Sequence, residues 1–487
     1  MMETIIAWLG EREAAISAVV GMLALLGFVF SPIYRLVRDR RSDRGLRSSE
    51  QSVAAPVVKA AGAPGDPAVT AAGPDTPHLI PAHEPSPTSV PMASEATLAI
   101  LPVIDKVNDD RDDEWADELN DDLKTILVRS SLFEVRFLSE AVPLDTLRSQ
   151  GMKYALEIRT RPRGADIRIT AELTDLRTGG QFWSAYYSRQ LDESVGESDF
   201  LALQIASQLV PPIIGAEVRH ALNLGTDNLS ASSLTRLAHH AFLFSGHDGD
   251  TFREARKLAE IAVARGPGDA RALATRAVTV ATAVAFGFSE QHRDDKAQAI
   301  RDSEAAIRLD PTDGLVLHAR GWVCAFFDSY EQGLPYLAKS VDADATNAHV
   351  QADYGYMLLK CGKIDQAEKQ IDRAFTLSPR DPRQYIWNFF RGATAFARGD
   401  PERALIFFEQ SIALVGYTPA YVGKILACLE LDRLDAAKET MLQMAHTFQP
   451  YITPRRFMGY VVHNKVRPEI YAKAEQLTEY WPDDGDS

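Results

Sequence analysis

Carboxylates are the first side chains here whose type and spacing could do chemistry. Asp109, Asp110, Asp112, Asp113, Glu114, Asp117, Glu118, Asp121 and Asp122 fall in one short run, a density that attracts hard cations. A calcium loop needs a glycine at its sharp turn and ligands at alternate positions, and the run has neither. It reads as the acidic opening of a helix, favoured by the helix dipole and solvated outward, and no metal is expected. His239 and His240, with Asp227, Ser232 and Ser233 nearby, could supply a hydrolase, but the chain has no Gly-x-Ser-x-Gly elbow. A His-Glu-x-x-His zinc motif and a Gly-x-x-x-x-Gly-Lys-Ser/Thr phosphate cradle are absent as well. Arg163-Gly164 and Gly179-Gly180 read as turns between strands, not as nucleotide loops. Cys324, Cys361 and Cys428 are odd in number and far apart, which suits core thiols in a reducing compartment. No catalytic residue and no cofactor is expected.

The elements that would carry these residues show a period. Gly287, Gly321 and Gly355 are 34 residues apart, echoed by Ala299, Gly333 and Ala367. Small residues are needed where two helices of a hairpin cross, and Pro267, Pro311 and Pro379 fall where a second helix would have ended. Gly321-Trp322 to Asp344, and Tyr354-Gly355-Tyr356 through Cys361-Gly362-Lys363-Ile364-Asp365-Gln366-Ala367-Glu368 to Pro379, closely resemble tetratricopeptide repeats. Gly392 with Ala404 and Phe408 makes a further unit, and Ala437 marks another. Five units are expected, with divergent ones at the ends as caps.

That resemblance implies a concave face built from the first helix of each unit. Its positions correspond here to Leu315, His318, Trp322 and Phe326, then His349, Tyr356 and Lys360, then Phe389 and Phe396. Aromatic anchors in a groove suit a protein or peptide ligand, because they bury much area at small entropic cost. Lys360 stands nearly alone as a cation, so an apolar or helical segment fits better than an acidic tail. The competing reading is that several of these rings pack between neighbouring repeats.

Ala14 to Tyr34 runs 21 residues without a charge, long enough at about 1.5 Å per residue to span a bilayer core. Arg35, Arg38, Arg40, Arg41, Arg44 and Arg47 follow it, which predicts a cytoplasmic body. Arg35, Arg38, Arg40 and Arg41 could also rest on anionic lipid headgroups. A net charge of −15 argues against nucleic acid as a partner. From about Ser48 to Ser94 the chain is Ala, Pro, Gly, Ser and Thr, without enough apolar surface to offset its ordering entropy.

Beyond the linker, strand-type Thr97 to Val103 is followed by a helix through Trp115, Leu119, Leu123 and Leu127. Strands around Phe133 to Leu138 and Tyr154 to Thr160, and a hairpin of Ile167–Leu173 with Phe182–Tyr187, come next. A helix from Asp199 to Val210 is expected to stop before Pro211-Pro212. The series Leu98-Ala99-Ile100-Leu101-Pro102, Trp115-Ala116-Asp117, Asp121-Asp122-Leu123, Ile167 to Leu173, Thr178-Gly179 and Phe182-Trp183 resembles the TolB amino-terminal-like domain. In that family the domain often precedes tetratricopeptide repeats, and the pair is often appended to bacterial class III adenylate cyclases or winged-helix regulators. An anchor and tether stand here in place of those domains, and Glu118 replaces the glycine usual after the Ala-Asp pair.

The expected class is thus α plus α/β: a single N-terminal transmembrane helix, a small α/β domain and a C-terminal all-α tetratricopeptide solenoid. The divisions are a tail 1–13, the transmembrane helix 14–34, a basic and disordered linker 35–95, the α/β domain 96–225, the array 230–450, and a cap and tail 451–487. The expected role is a membrane-anchored scaffold or adaptor, single-pass in a bacterial inner membrane, with its folded part cytoplasmic or, in the alternative, periplasmic. The second reading is a signalling sensor whose α/β domain binds a small ligand and whose repeats relay it.

Overall fold

The computed structural model describes residues 97–104, 110–128, 134–163, 166–190, 198–244, 249–449, 451–464 and 466–482. The apolar span at 14–34, its arginines and the linker lie outside them.

The first part is a five-stranded sheet in the order β2-β1-β3-β4-β5. β1 (Thr97–Ile100) lies parallel to β2 (Glu134–Phe137) and to β3 (Tyr154–Arg163). β3, β4 (Asp166–Asp175) and β5 (Gly180–Gln190) form an antiparallel meander. Alternation along the strands sorts side chains between two faces. Leu98, Ile100, Leu156, Ile158 and Ile169 point into one core, Ala99, Leu101 and Ala155 into a second. The first face is covered by α1 (Asp110–Leu127) and α3 (Ser198–Leu224), the second by the short α2 (Leu144–Ser149).

Helix α3 corrects the sequence expectation, because it continues through Pro211 and Pro212 to Leu224. Leu209, Val210, Ile213, Ile214, Ala216 and Val218 are all buried on both sides of the prolines. Burying this row outweighs the backbone hydrogen bonds that the prolines remove. Among the described residues, 199–224 is the one helix long and apolar enough to cross a membrane by length and composition, yet 67% of its most apolar stretch is buried in the fold. It is a core helix. It also joins the sheet to the helices beyond it: Glu217 accepts from the Tyr154 hydroxyl at 2.7 Å and from Arg177 at 2.8 Å, while Gln204 donates to the Thr376 carbonyl at 2.9 Å. One hydrophobic core accordingly runs from Leu98 of the sheet to Ala319.

Seven helical hairpins follow: α4 (Ala231–Phe244) with α5 (Gly249–Arg265), α6 (Ala270–Ala285) with α7 (His292–Leu309), and α8 (Gly314–Phe327) with α9 (Tyr330–Ala343). Next come α10 (Ala348–Lys360) with α11 (Ile364–Leu377), α12 (Gln384–Ala397) with α13 (Pro401–Leu414), α14 (Thr418–Glu430) with α15 (Leu434–Thr447), and α16 (Pro454–His463) with α17 (Pro468–Leu477). Side-chain caps punctuate them: Asp269, Asp313, Ser329, Asn347, Asp400 and Thr453 each accept a backbone N–H in the first turn that follows. Helices cross where glycine allows it. A Cβ on Gly333 would sit 2.4 Å from the Gly321 carbonyl oxygen, and one on Gly355 would sit 2.6 Å from Ile371.

Two sequence readings change. Gly287 is not a crossing glycine; it adopts φ +76° just after α6 and ends that helix. Its own hairpin crosses through Ala277, Val280 and Ala281 against Ala299, and the longer α6–α7 connection made the 34-residue match a coincidence. Among the described residues the array also has seven hairpins where five units were expected. The pair α4–α5 lacks a crossing glycine and was marked in the sequence only by Pro267 just beyond its second helix, and the pair α16–α17 falls in the stretch expected to be a cap and tail.

Candidate functional site

The hairpins curve until their ends touch. The Tyr451 hydroxyl donates to Asp250 at 2.7 Å and accepts from Arg253 at 2.8 Å. The Tyr451 ring meets Phe288 edge-on at 5.9 Å and also covers Gly249, while Phe286 meets Tyr460 at 6.1 Å. A Cβ on Gly249 would lie 2.4 Å from that tyrosine ring, so the absent side chain is what lets the ends meet.

Inside this turn lies a cavity of about 410 Å³, within the range of small-ligand and side-chain pockets. The first helix of every hairpin contributes to its lining: Phe242 from α4, Thr282 from α6, His318 and Trp322 from α8, Tyr356 from α10, Phe389 from α12, Pro419 from α14, and Tyr460 from α16. The rings form a ladder. Phe326, Trp322, Tyr356 and Phe390 follow one another with centroids 5.1, 6.2 and 4.4 Å apart and planes within 29°.

The cavity floor is polar. His318 and Trp322 are one helical turn apart on α8, and His349 and Asp353 likewise on α10, which brings the two pairs face to face. Asp353 Oδ2 lies 2.7 Å from His318 Nε2 and accepts from Trp322 Nε1 at 2.9 Å. Trp387 Nε1 donates to His349 Nδ1 at 3.1 Å, so His349 carries its proton on Nε2, which faces Asp353 Oδ2 at 3.6 Å. Burial is the largest influence on both groups. It pushes the His349 imidazole down to about 4, leaving the ring neutral at pH 7. It also pushes the Asp353 carboxyl up, but His349 and the bonds from His318 and Trp322 outweigh that and hold it below the usual carboxylate range. Burial lowers His239 to about 3 and His240 to about 4. Beneath them Arg383 and Asp381 form a closed pair with bonds of 2.8 and 2.7 Å.

Of the residues expected in the groove, His318, Trp322, Phe326, His349, Tyr356 and Phe389 line the cavity. Leu315 packs into the first core and Phe396 against the second, while Lys360 Nζ lies 5.3 Å over the Tyr330 ring and 5.9 Å over the Tyr356 ring. Tyr356 and Phe389 are only 8% and 7% exposed, so they serve both as inter-repeat packing and as cavity wall. Asp353, Tyr417, Arg456 and Tyr460 escaped the sequence reading. Asp353 had a signal, its one-turn spacing from His349; Tyr417 comes from the start of α14, edge-on to Tyr385 and Phe389 of the neighbouring hairpin at 5.4 Å each, and Arg456 and Tyr460 arrive only through the closing of the turn. The imagined hydrolase does not assemble: Ser230 caps α4 through the Ser233 amide, and His240 stacks on Phe244 at 4.8 Å.

The described part is therefore a small sheet unit joined to a helix-hairpin solenoid of tetratricopeptide type. No family model matches the chain. Among curated proteins it is 23% identical over 231 residues to a candidate adenylate cyclase, numbered 3, of Rhizobium meliloti (strain 1021), covering 46% of this chain. The chain spans 39% of that relative's length. Among solved structures it is similar to PilW, described as a type IV pilus biogenesis factor, at 19% identity and TM-score 0.33, covering 44% of this chain and 92% of that one. It is also similar to PilF of Pseudomonas aeruginosa, at 15% identity and TM-score 0.30, covering 47% and 99%. A tetratricopeptide repeat protein of Parabacteroides merdae ATCC 43184 shares 15% identity at TM-score 0.33, covering 58% and 94%.

Proposed function

We propose that this protein is a non-enzymatic, membrane-tethered scaffold that holds a peptide segment of a protein partner in the cavity of its hairpin array. The observation that carries the reading is the cavity itself, walled by the first helices of all seven hairpins and floored by a polar cluster. Stacked rings offer large apolar area already held in place, which limits the entropy lost on binding. The sheet unit, read as TolB amino-terminal-like from its motifs, is locked to the array through Glu217 and Gln204 and belongs to the same scaffold.

The test uses the full chain in detergent and a panel of amphipathic helical and extended peptides, followed by tryptophan fluorescence and calorimetry. Phe326→Ala, which truncates a half-buried ring on the cavity wall, should weaken the bound peptides about tenfold or more while leaving helicity unchanged. Binding that Phe326→Ala does not alter, or no binding by any peptide, overturns the reading.

Tethering rests on the apolar span 14–34 and on Arg35, Arg38, Arg40 and Arg41 behind it. A reporter fused after Ser487 should signal from the cytoplasm of a bacterial host. A periplasmic signal would reverse the orientation.

A further inference from the structure

We infer that the cavity recognises an organic cation, the guanidinium or ammonium end of a basic side chain carried by the protein partner, with Asp353 as its counter-ion. The inference rests on the peptide-holding reading above and gives that site its ligand class. Asp353 is 3% exposed and lines the cavity. All of its side-chain partners among the described residues meet Oδ2: His318, Trp322 and, at longer range, His349. Oδ1 accepts nothing among the described residues, and the side chain, 5% exposed, lines the cavity.

A buried carboxylate is stable only when its charge is answered. The nearest candidates within the protein do not answer it in full. His318, the nearest at 2.7 Å, meets only Oδ2, Trp322 brings a neutral N–H to the same oxygen, His349 is fixed as a neutral ring by the bond it accepts from Trp387, and Arg383 is committed to Asp381. Arg456, which also lines the cavity, donates to the Tyr451 carbonyl and lies 5.9 Å from the Phe288 ring centroid at the junction of the two ends.

The walls suit the same ligand. Trp322, Tyr356, Phe389 and Tyr417 surround the space above the carboxylate, and aromatic rings attract a desolvated cation through their quadrupoles. A volume of about 410 Å³ has room for one long side chain. The chain's net charge of −15 draws basic segments toward it. An acidic side chain would meet Asp353 with like charge.

Three alanine-based heptapeptides, identical except for a central arginine, citrulline or leucine, test the inference on the full chain by calorimetry and tryptophan fluorescence. Citrulline keeps the shape of arginine and lacks its charge. The arginine peptide should bind about ten- to a hundredfold more tightly than the citrulline peptide, as a charge-assisted bond to a buried carboxylate requires. In Asp353→Asn, whose side chain can still accept from His318 and Trp322, that preference should shrink to about twofold or less. The arginine-to-citrulline ratio of the unaltered protein decides the matter even if the variant fails to fold. Equal binding of the three peptides overturns the cation inference and leaves the groove reading standing. Binding by none of them, together with none by the amphipathic panel, removes both.

Discussion

Replacing Asp381 by asparagine should destabilise the hairpin array by about 3–5 kcal/mol, the cost of leaving a buried charge without its partner. The Asp381 and Arg383 side chains are 0% and 3% exposed and share two parallel bonds, and the Arg383 backbone N–H also donates to Asp381 at 2.9 Å. The guanidinium sits 5.0 Å over the Phe244 ring, so the pair ties the start of α12 to α4 across the inside of the turn. Burial pushes the Asp381 carboxyl up, but Arg383 outweighs it and holds the group below its ordinary value. A depressed carboxyl contributes stability that is complete above the unfolded-state value, about 3.9, and is lost as pH falls through the folded value. The pair therefore survives mild acid. Urea unfolding followed by helical circular dichroism measures the loss, and Asp381→Asn combined with Arg383→Met should recover much of it because no charge remains buried. A single-variant effect within about 0.5 kcal/mol would show that water reaches the pair.

Mild acid should instead act through the histidines. His349 titrates near 4 in the folded chain and near 6.5 when unfolded. Above about pH 6.5 the ring is neutral in both states and stability is at its full value. Between 6.5 and 4 the unfolded chain takes up a proton that the native chain refuses, so stability falls by about 1.4 kcal/mol per pH unit, roughly 3 kcal/mol across the window. Protonating His349 would also turn Nδ1 from acceptor into donor and break the bond from Trp387. His239 and His240 are shifted the same way and steepen the dependence. Urea melts at pH 7, 6 and 5 should show the fall, and His349→Asn, whose amide oxygen can accept from Trp387, should reduce the slope by about 1.4 kcal/mol per unit. Identical slopes for the two proteins would mean that His349 is protonated in the native state.

Local pattern carried a good deal of this protein. The 34-residue spacing of Gly321 and Gly355 is a consequence of hairpin geometry, because a Cβ on Gly321 would lie 1.9 Å from Leu337 and one on Gly355 2.6 Å from Ile371 on the crossing helix, and so it is visible in the chain itself. Alternation along Ile167 to Leu173 marked a half-buried strand for the same kind of reason, each residue's face being set by its neighbours. The ring positions Trp322, Tyr356 and Phe389 followed from the resemblance to tetratricopeptide repeats, carried over position by position within single units. Pro211 and Pro212 misled, since a local breaker rule cannot weigh the buried row of apolar side chains that carries α3 past them. Gly287 misled because spacing does not distinguish a crossing glycine from a helix-ending one. What only the tertiary structure decided is the closure: small rotations between successive hairpins add up over seven of them until Tyr451 reaches Asp250 and Tyr460 reaches Phe286. That sum belongs to no single repeat. It turns an open groove into a walled cavity and places the Asp353 carboxylate at its floor.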